Sequence, residues 1–260
     1  MKKLLILTLF AFVLVIPASR AVTASLDSFD YYISRQVEYD LNKEDYIRKI
    51  KNEIALNKND HQQLYALYVM MYDEYRSYIY DSAYVCVKKL IDISSALGDR
   101  NKSISSKVKL GFCYLSSGLF KEAFDVLTSL NVKECNAETK IEYYICKSRL
   151  YFDLGDYNNT VEFRKKYNEI GIQIIDSALV LLPPGSARYW ATVGLKNMKS
   201  DKLEEALNAF QKMIDSRNYS EHDLAIATSS IGYIMTLQGN KEKAKEYLIK
   251  AAIADIKSSV

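Results

Sequence analysis

Few side chains in this 260-residue chain have the types and spacing that catalysis or metal binding requires. The only histidines are His61 and His222, and neither has a metal-ligand partner one helical turn away or a cysteine at zinc-site spacing. The sequence has no HExxH, GxSxG or GxGxxG motif and no phosphate-binding glycine loop. No pattern singles out an acid–base pair among the 32 acidic residues. We therefore expect no metal site, no cofactor and no enzymatic activity.

The four cysteines have positions that favour packing over chemistry. Cys86, Cys113 and Cys146 lie in apolar helical patterns, where cysteine behaves as a small hydrophobic residue. Cys135 lies in a turn between repeats, where its thiol could be exposed. A structural disulfide stays open as the alternative if the chain is exported to an oxidising compartment.

The row of side chains best suited to binding consists of Tyr65, Tyr68, Tyr72 and Tyr75. Their spacing places all four on one face of a helix. Tyrosine presents rigid apolar area with a polar tip, which suits recognition of a peptide or a glycan. The same spacing also describes a helix face packed in the core, here against helices at the N-terminus. Both interpretations stay open.

A repeat of helix pairs would have to position that row. Small residues recur in one phase, 40, 37, 46 and 38 residues apart, at Ala83, Ala123, Thr160, Ala206 and Ala244. Only 9 glycines and 3 prolines interrupt the chain, which favours helices joined by short turns. A period of this length is typical of a solenoid, in which each unit buries its apolar face against its neighbours. We predict an all-α fold, a right-handed α-solenoid of about five helix pairs with an N-terminal helical cap.

The 46-residue interval predicts one outsize second helix in the third pair. We expect it to run from about Tyr157 to Leu182 and to end at Pro183 and Pro184, because proline lacks the amide N–H and restricts the residue before it. In this register Ser148 takes the small-residue position of the first helix, and Gly155 takes the position of a turn glycine.

Residues 1–21 have the layout of a secretory signal peptide. Lys2 and Lys3 precede an apolar run, and small residues suited to cleavage follow it. An uncleaved N-terminal anchor is the alternative. Without this segment 32 basic residues face 32 acidic ones, so the chain lacks the basic footprint of a nucleic-acid-binding protein. We predict a cap over residues 22–60, a repeat domain over 61–260, and an exported protein that is periplasmic or envelope-associated.

The stretch Trp190-x2-Val193-Gly194, followed by Ala206-x3-Phe210, resembles the tetratricopeptide repeat, whose signature has the form W-x2-L-G-x2-Y and A-x3-F. The resemblance covers residues 60–255, although the periods are longer than those of the family. It implies a concave groove lined mainly from the first helix of each pair, with a protein or peptide as the expected partner. The groove positions hold the four tyrosines and the further ligand-binding candidates Phe112, Glu142, Arg149, Arg188 and Tyr233.

Other stretches are similar to exported tetratricopeptide proteins of Bacteroides-type bacteria, among them Ser25-Leu-Asp-Ser-Phe-Asp-Tyr-Tyr-Ile, Leu115-Ser-Ser-Gly-Leu-Phe-Lys-Glu-Ala123 and Leu182-Pro-Pro-Gly-Ser186. This resemblance implies the periplasmic sensing half of a membrane-bound regulator. Members of that family continue into further repeats, a transmembrane helix and a regulator-like domain, which this sequence does not reach. We therefore expect membrane attachment only through such a missing segment or an uncleaved leader. Glycan capture or envelope assembly is the alternative function.

Overall fold

The computed structural model describes residues 26–77, 79–158 and 160–259, and within these ranges the chain forms helices and no strand. The all-α prediction is therefore confirmed, while the predicted signal peptide at residues 1–21 lies outside the described residues. Residues 26–34 form helix α1. Five helix pairs follow the long helix α2. The bounds are α2 Gln36–Leu56, α3 His61–Tyr75, α4 Tyr80–Ala96, α5 Arg100–Ser116, α6 Phe120–Ser129, α7 Ala137–Tyr157, α8 Val161–Leu179, α9 Ala187–Lys199, α10 Leu203–Asp215, α11 Glu221–Leu237 and α12 Lys241–Ser258.

The helices pack mainly against their neighbours in sequence. The first helix of a pair packs against the second in α3–α4, α5–α6, α7–α8 and α11–α12. Each second helix packs against the next first helix in α4–α5, α6–α7 and α8–α9, and the first helices α5 and α7 also meet. This is the helix-pair packing of an α-solenoid, in which apolar faces are buried between adjacent units.

The residue before each first helix of a pair caps that helix with its side chain. Asp60, Asp99, Asn136, Ser186 and Ser220 each accept a hydrogen bond from the backbone N–H three residues later. Such a cap satisfies one of the amide groups that a helix start leaves without a partner. The second helices α4, α6 and α8 begin at Ile79, Leu119 and Thr160 without a side-chain cap. The polar turns before the first helices therefore define where each pair starts.

The described chain forms two compact units. The central unit spans Lys43–Ala206, and the terminal unit combines residues 26–42 with 207–259. In the central unit, Ile47 of α2 joins the apolar core formed by α3 and α4. In the terminal unit, Phe29 of α1 and Leu248 of α12 line the same pocket, and the Lys257 Nζ atom lies 4.9 Å from the centre of the Tyr32 ring. The domain boundaries given above stay a prediction.

The third pair departs from the predicted register. In the other four pairs, the small residue of the repeat is the fourth residue of the second helix. Thr160 instead precedes α8 as its N-cap residue, and the fourth residue is Arg164. The prediction for Thr160 is therefore wrong. The second helix α8 is the longest of the five second helices, as predicted, but with 19 residues it is shorter than the predicted Tyr157–Leu182, and the first helix α7 extends to Tyr157 with 21 residues.

Gly155, expected in a turn, lies buried within α7. A Cβ atom at this position would lie 3.0 Å from the Asn168 side-chain oxygen and 3.4 Å from the Arg164 carbonyl oxygen, so the glycine permits close approach of α8. Gly171 makes the reciprocal contact from α8, where a Cβ atom would lie 2.5 Å from the ring of Phe152. Two glycines on facing helices therefore permit the close approach of α7 and α8 at two places along the pair.

All four cysteines are buried and free in the structure. Cys135 is 7% exposed, which corrects the expectation that its turn could leave it open to solvent. Burial raises the pKa of Cys113 and of Cys146 to about 12. Because the thiolate is the nucleophile, these thiols are inert packing groups at neutral pH.

We predict that Gly171→Ala destabilises the protein, although alanine is the better helix former by about 1 kcal/mol. The new methyl group would overlap the ring of Phe152, which is 1% exposed and cannot move into solvent. Overpacking of this kind costs about 1–3 kcal/mol in free energy of unfolding, measurable by chemical denaturation.

The double variant Gly171→Ala with Phe152→Leu is the control. It should lose less stability than the sum of the two single changes, because the smaller side chain makes room for the methyl group. A stabilising Gly171→Ala single variant would contradict the close approach of α7 and α8.

Candidate functional site

The first helices of the central unit, α3, α5, α7 and α9, meet through their side chains. The Tyr65 hydroxyl donates to the Lys102 carbonyl oxygen at 3.1 Å, which joins α3 to α5. The Arg188 guanidinium donates to Glu138 at 2.5 Å, which joins α9 to α7. We call the polar and aromatic side chains along these four helices the first-helix face. It includes the groove-lining positions predicted from the sequence on these four helices, and we count Arg76, the residue after α3, with it.

Three of the four tyrosines in the predicted row are buried in the core of the first pair. Tyr65 and Tyr75 are each 8% exposed and Tyr72 is 1% exposed, whereas Tyr68 is half-buried. Burial raises the pKa of the Tyr72 hydroxyl far above its ordinary value, so the group stays neutral. Most of this row therefore packs in the core, which is the second of the two interpretations left open by the sequence. Ligand binding by the tyrosines stays a prediction.

Phe112 of α5 is half-buried and has two guanidinium groups beside it. The Arg76 Cζ atom lies 5.3 Å from the centre of the Phe112 ring, and the Arg149 Cζ atom lies 4.8 Å from it. Both distances fall within the range of cation–π attraction. Arg149 also donates to Asp153 at 3.2 Å, which fixes the guanidinium over the ring. An aromatic ring of α5, an arginine of α7 and the arginine that follows α3 therefore lie together.

Glu142 of α7 forms an ion pair that sequence reasoning missed. The Lys109 Nζ atom of α5 lies 3.0 and 3.1 Å from the two Glu142 carboxylate oxygens, and the Ser105 hydroxyl donates to the same carboxylate at 3.2 Å. The Lys109 side chain is 8% exposed and that of Glu142 is 28% exposed. A lysine flanked by Val108 and Leu110 in an apolar stretch was the available signal, but its partner lies 33 residues away.

The remaining predicted charges are not brought together. Glu142 pairs with Lys109, Arg149 pairs with Asp153, and Arg188 pairs with Glu138, so these three predicted residues belong to three separate ion pairs. Tyr233 belongs to the terminal unit, where it is 55% exposed.

Two aspartates of this face have raised pKa values. Burial is the main cause for Asp73 and for Asp153, and the nearby guanidinium groups of Arg76 and Arg149 respectively oppose it. For an acid whose pKa rises on folding, the folded state gains relative stability as the pH falls from the raised value towards the ordinary one. A cationic group of a ligand placed beside these carboxylates would favour their charged forms and oppose the rise in pKa.

In residues 26–77, 79–158 and 160–259, no three His, Cys, Asp or Glu side chains lie together as a metal ion would require. Over the same ranges, no helix combines the length and apolar character needed to cross a bilayer.

The chain matches the family model of the SusR N-terminal TPR domain over residues 33–260. It belongs to this family. As a SusR-type TPR domain, it is an α-helical repeat domain of a class that generally mediates protein–protein interactions. This confirms the tetratricopeptide resemblance seen in the sequence.

Two solved structures are similar to this SusR-type TPR domain. One is described as "MamA RS-1 ArsTM double mutant" and is 13% identical, with a TM-score of 0.41, covering 75% of this chain and 96% of that one. The other is described as "Crystal structure of MamA protein" and is 20% identical, with a TM-score of 0.32, covering 76% of this chain and 95% of that one. The comparison with curated proteins gave no match.

We predict that replacing Glu142 lowers the free energy of unfolding more than replacing Lys109 does. Glu142→Met leaves the nearly buried ammonium group without its counter-ion and should cost about 2–4 kcal/mol, whereas Lys109→Met leaves a carboxylate that water can reach and should cost about 1–2 kcal/mol. The free energy of unfolding, measured in urea, gives both values.

The double variant Lys109→Met with Glu142→Met should recover most of the stability that the single variants lose. An apolar pair of similar volume removes the desolvation costs of both charges. Single variants that each lose less than about 0.5 kcal/mol would show instead that the pair behaves as an exposed surface ion pair.

Proposed function

We propose that this SusR-type TPR domain is a non-enzymatic binding domain that holds a protein segment or small ligand on its first-helix face. The proposal rests mainly on Phe112 with Arg76 and Arg149 beside it. Aromatic residues and arginine supply most of the binding energy at protein interfaces, because they offer large contact area together with directional hydrogen bonds. Here both types come from adjacent helices that the repeat holds in place.

The charges of this face support a ligand with mixed polar character. Arg149 provides donors, and Asp73 and Asp153 provide acceptors whose desolvation is only partly offset by their neighbours. An extended peptide carries backbone donors and acceptors at regular spacing, and can therefore use both kinds of group. A catalytic arrangement would need a nucleophile or an acid–base pair held at a common reaction position, and none of the groups described above has that role.

We further propose that the domain acts in the periplasm as the sensing half of a membrane-bound regulator. Support comes from the leader-like sequence of residues 1–21 and from the resemblance to exported regulators. Alkaline phosphatase fused after residue 260 should be active in cells, because this reporter works only after export. A fusion that is inactive, while a cytoplasmic reporter at the same position is active, would contradict export.

The binding proposal is tested with a phage-displayed random peptide library and a panel of neutral oligosaccharides. We expect peptides to be selected, and Arg149→Ala to weaken their binding about tenfold or more, as loss of a hot-spot arginine does. The matched control is Arg48→Ala, because Arg48 also pairs with an aspartate on its own helix but lies on α2 and is highly exposed. Equal loss in both variants, or none in either, would contradict the assignment.

Glycan capture or envelope assembly is the second candidate function. The half-buried Phe112 ring, with the Arg76–Asp73 pair next to it, offers the apolar surface and carboxylate acceptors that a sugar ring uses. Binding of oligosaccharides but of no peptide, with the same loss in Arg149→Ala, would favour this alternative.

A further inference from the structure

A pocket of about 610 Å³ lies at the N-terminal end of the central unit, between α2, α3 and α4. Its floor is apolar and consists of the side chains Ile54, Leu64, Tyr68 and Ile93. Leu64 and Ile93 belong to the buried core, so the floor is part of a rigid scaffold. The volume suffices for a small organic molecule, since ligand pockets commonly enclose about 300–1,000 Å³.

The rim of this pocket is positively charged. Lys51 of α2, Lys58 of the α2–α3 turn and Lys89 of α4 line it, with Asp92 as the one carboxylate among the lining residues. The three lysines are exposed, and they come from three separate segments of the chain. In the part of the chain that the structure describes, none of them has an acidic partner. Ammonium groups of one sign around a pocket, without acidic partners, create a local field that attracts anions.

The charged rim and the burial of the floor also affect the pKa values of two side chains near the pocket. Burial raises the pKa of the Cys86 thiol to about 11, and the Lys51 ammonium opposes that rise. Burial likewise raises the pKa of Tyr68, whose hydroxyl therefore stays a neutral donor at the floor of the pocket. The open pocket thus combines an apolar floor, the tyrosine Tyr68 and three lysines at its rim.

We infer that this pocket binds a small amphiphilic carboxylate, a molecule with an apolar body and one anionic group. The apolar body would cover Ile54, Leu64 and Ile93, where it displaces water from apolar surface. The carboxylate would lie at the rim among the lysines, which share its charge while keeping their own ammonium groups hydrated. A neutral apolar molecule would leave the cations unused, and a fully hydrophilic anion would leave the floor uncovered.

The pocket borders the first-helix face at α3, where His61 and Tyr68 line it, but it is separate from the group around Phe112. It shares no residue with the group formed by Phe112, Arg76 and Arg149, so its occupancy does not depend on the function proposed above. Failure of one proposal would therefore leave the other standing.

The experiment uses the full chain and the fluorescence of anilinonaphthalene sulfonate, an aromatic anion that brightens in apolar sites. We expect saturable binding that octanoate displaces, whereas octanol lacks the charge and glucuronate lacks the apolar body, so both displace the probe at least fivefold less well. Binding should also weaken as ionic strength rises from about 0.01 M to 1 M, because the screening length falls from about 30 Å to 3 Å.

The deciding variant is Lys51→Ala with Lys89→Ala, which should weaken binding of the probe and of octanoate about fivefold to tenfold. Its matched control is Lys49→Ala with Lys88→Ala. These lysines lie on the same two helices, are equally exposed and do not line the pocket. The control should bind as the unchanged chain does, and circular dichroism should show the same helical content in all three proteins.

Several outcomes would overturn the inference. These are the absence of saturable probe binding, displacement by octanol or glucuronate as effective as by octanoate, or equal binding by the deciding variant and its control. An Arg149→Ala variant that loses probe binding would place the site on the first-helix face instead.

Discussion

The close approach of the two helices within a pair is the constraint on which the rest of this structure depends. It is possible only where one helix lacks a side chain. A Cβ atom at Gly111 would lie 2.7 Å from Leu127, and one at Gly232 would lie 2.9 Å from Leu248. Leu127 is fully buried, and because interiors are packed as densely as organic crystals, it has little room to move away from a larger residue at Gly111. The pairs are therefore rigid units, and their relative positions within the central unit fix which side chains of the first helices can meet.

The candidate binding face is a consequence of that stacking. Lys109 reaches Glu142 on the next first helix, and Arg149 lies over Phe112 of the preceding one. No single helix pair contains these arrangements, so each exists only when the repeats are stacked. A binding surface made in this way is as rigid as the stack itself, which limits the entropy that a ligand must overcome on binding.

The helix pairs could be predicted because local sequence signals define them. The partners in contacts between repeats could not be predicted, because they lie far apart in the sequence. Capping residues such as Asp99 and Asn136 precede the first helices, and they start helices for reasons that the adjacent sequence contains. Gly155 was misassigned because a glycine in a turn and a glycine in a helix contact look alike in sequence. Tyr72 could not be assigned either, since helical spacing identifies a face but not what covers it. The Lys109–Glu142 pair joins residues that only the stacked fold brings near.

The central claim is that ligands bind on the first-helix face through its arginines. The most direct test is a nitrogen–proton spectrum of the arginine Nε–Hε groups, recorded with and without a peptide or oligosaccharide selected for binding. The account predicts the largest shifts at Arg76 and Arg149, which lie beside Phe112, and no shift at Arg164, which is exposed on the second helix α8. A shift confined to Arg164, with Arg149 unchanged, would contradict it.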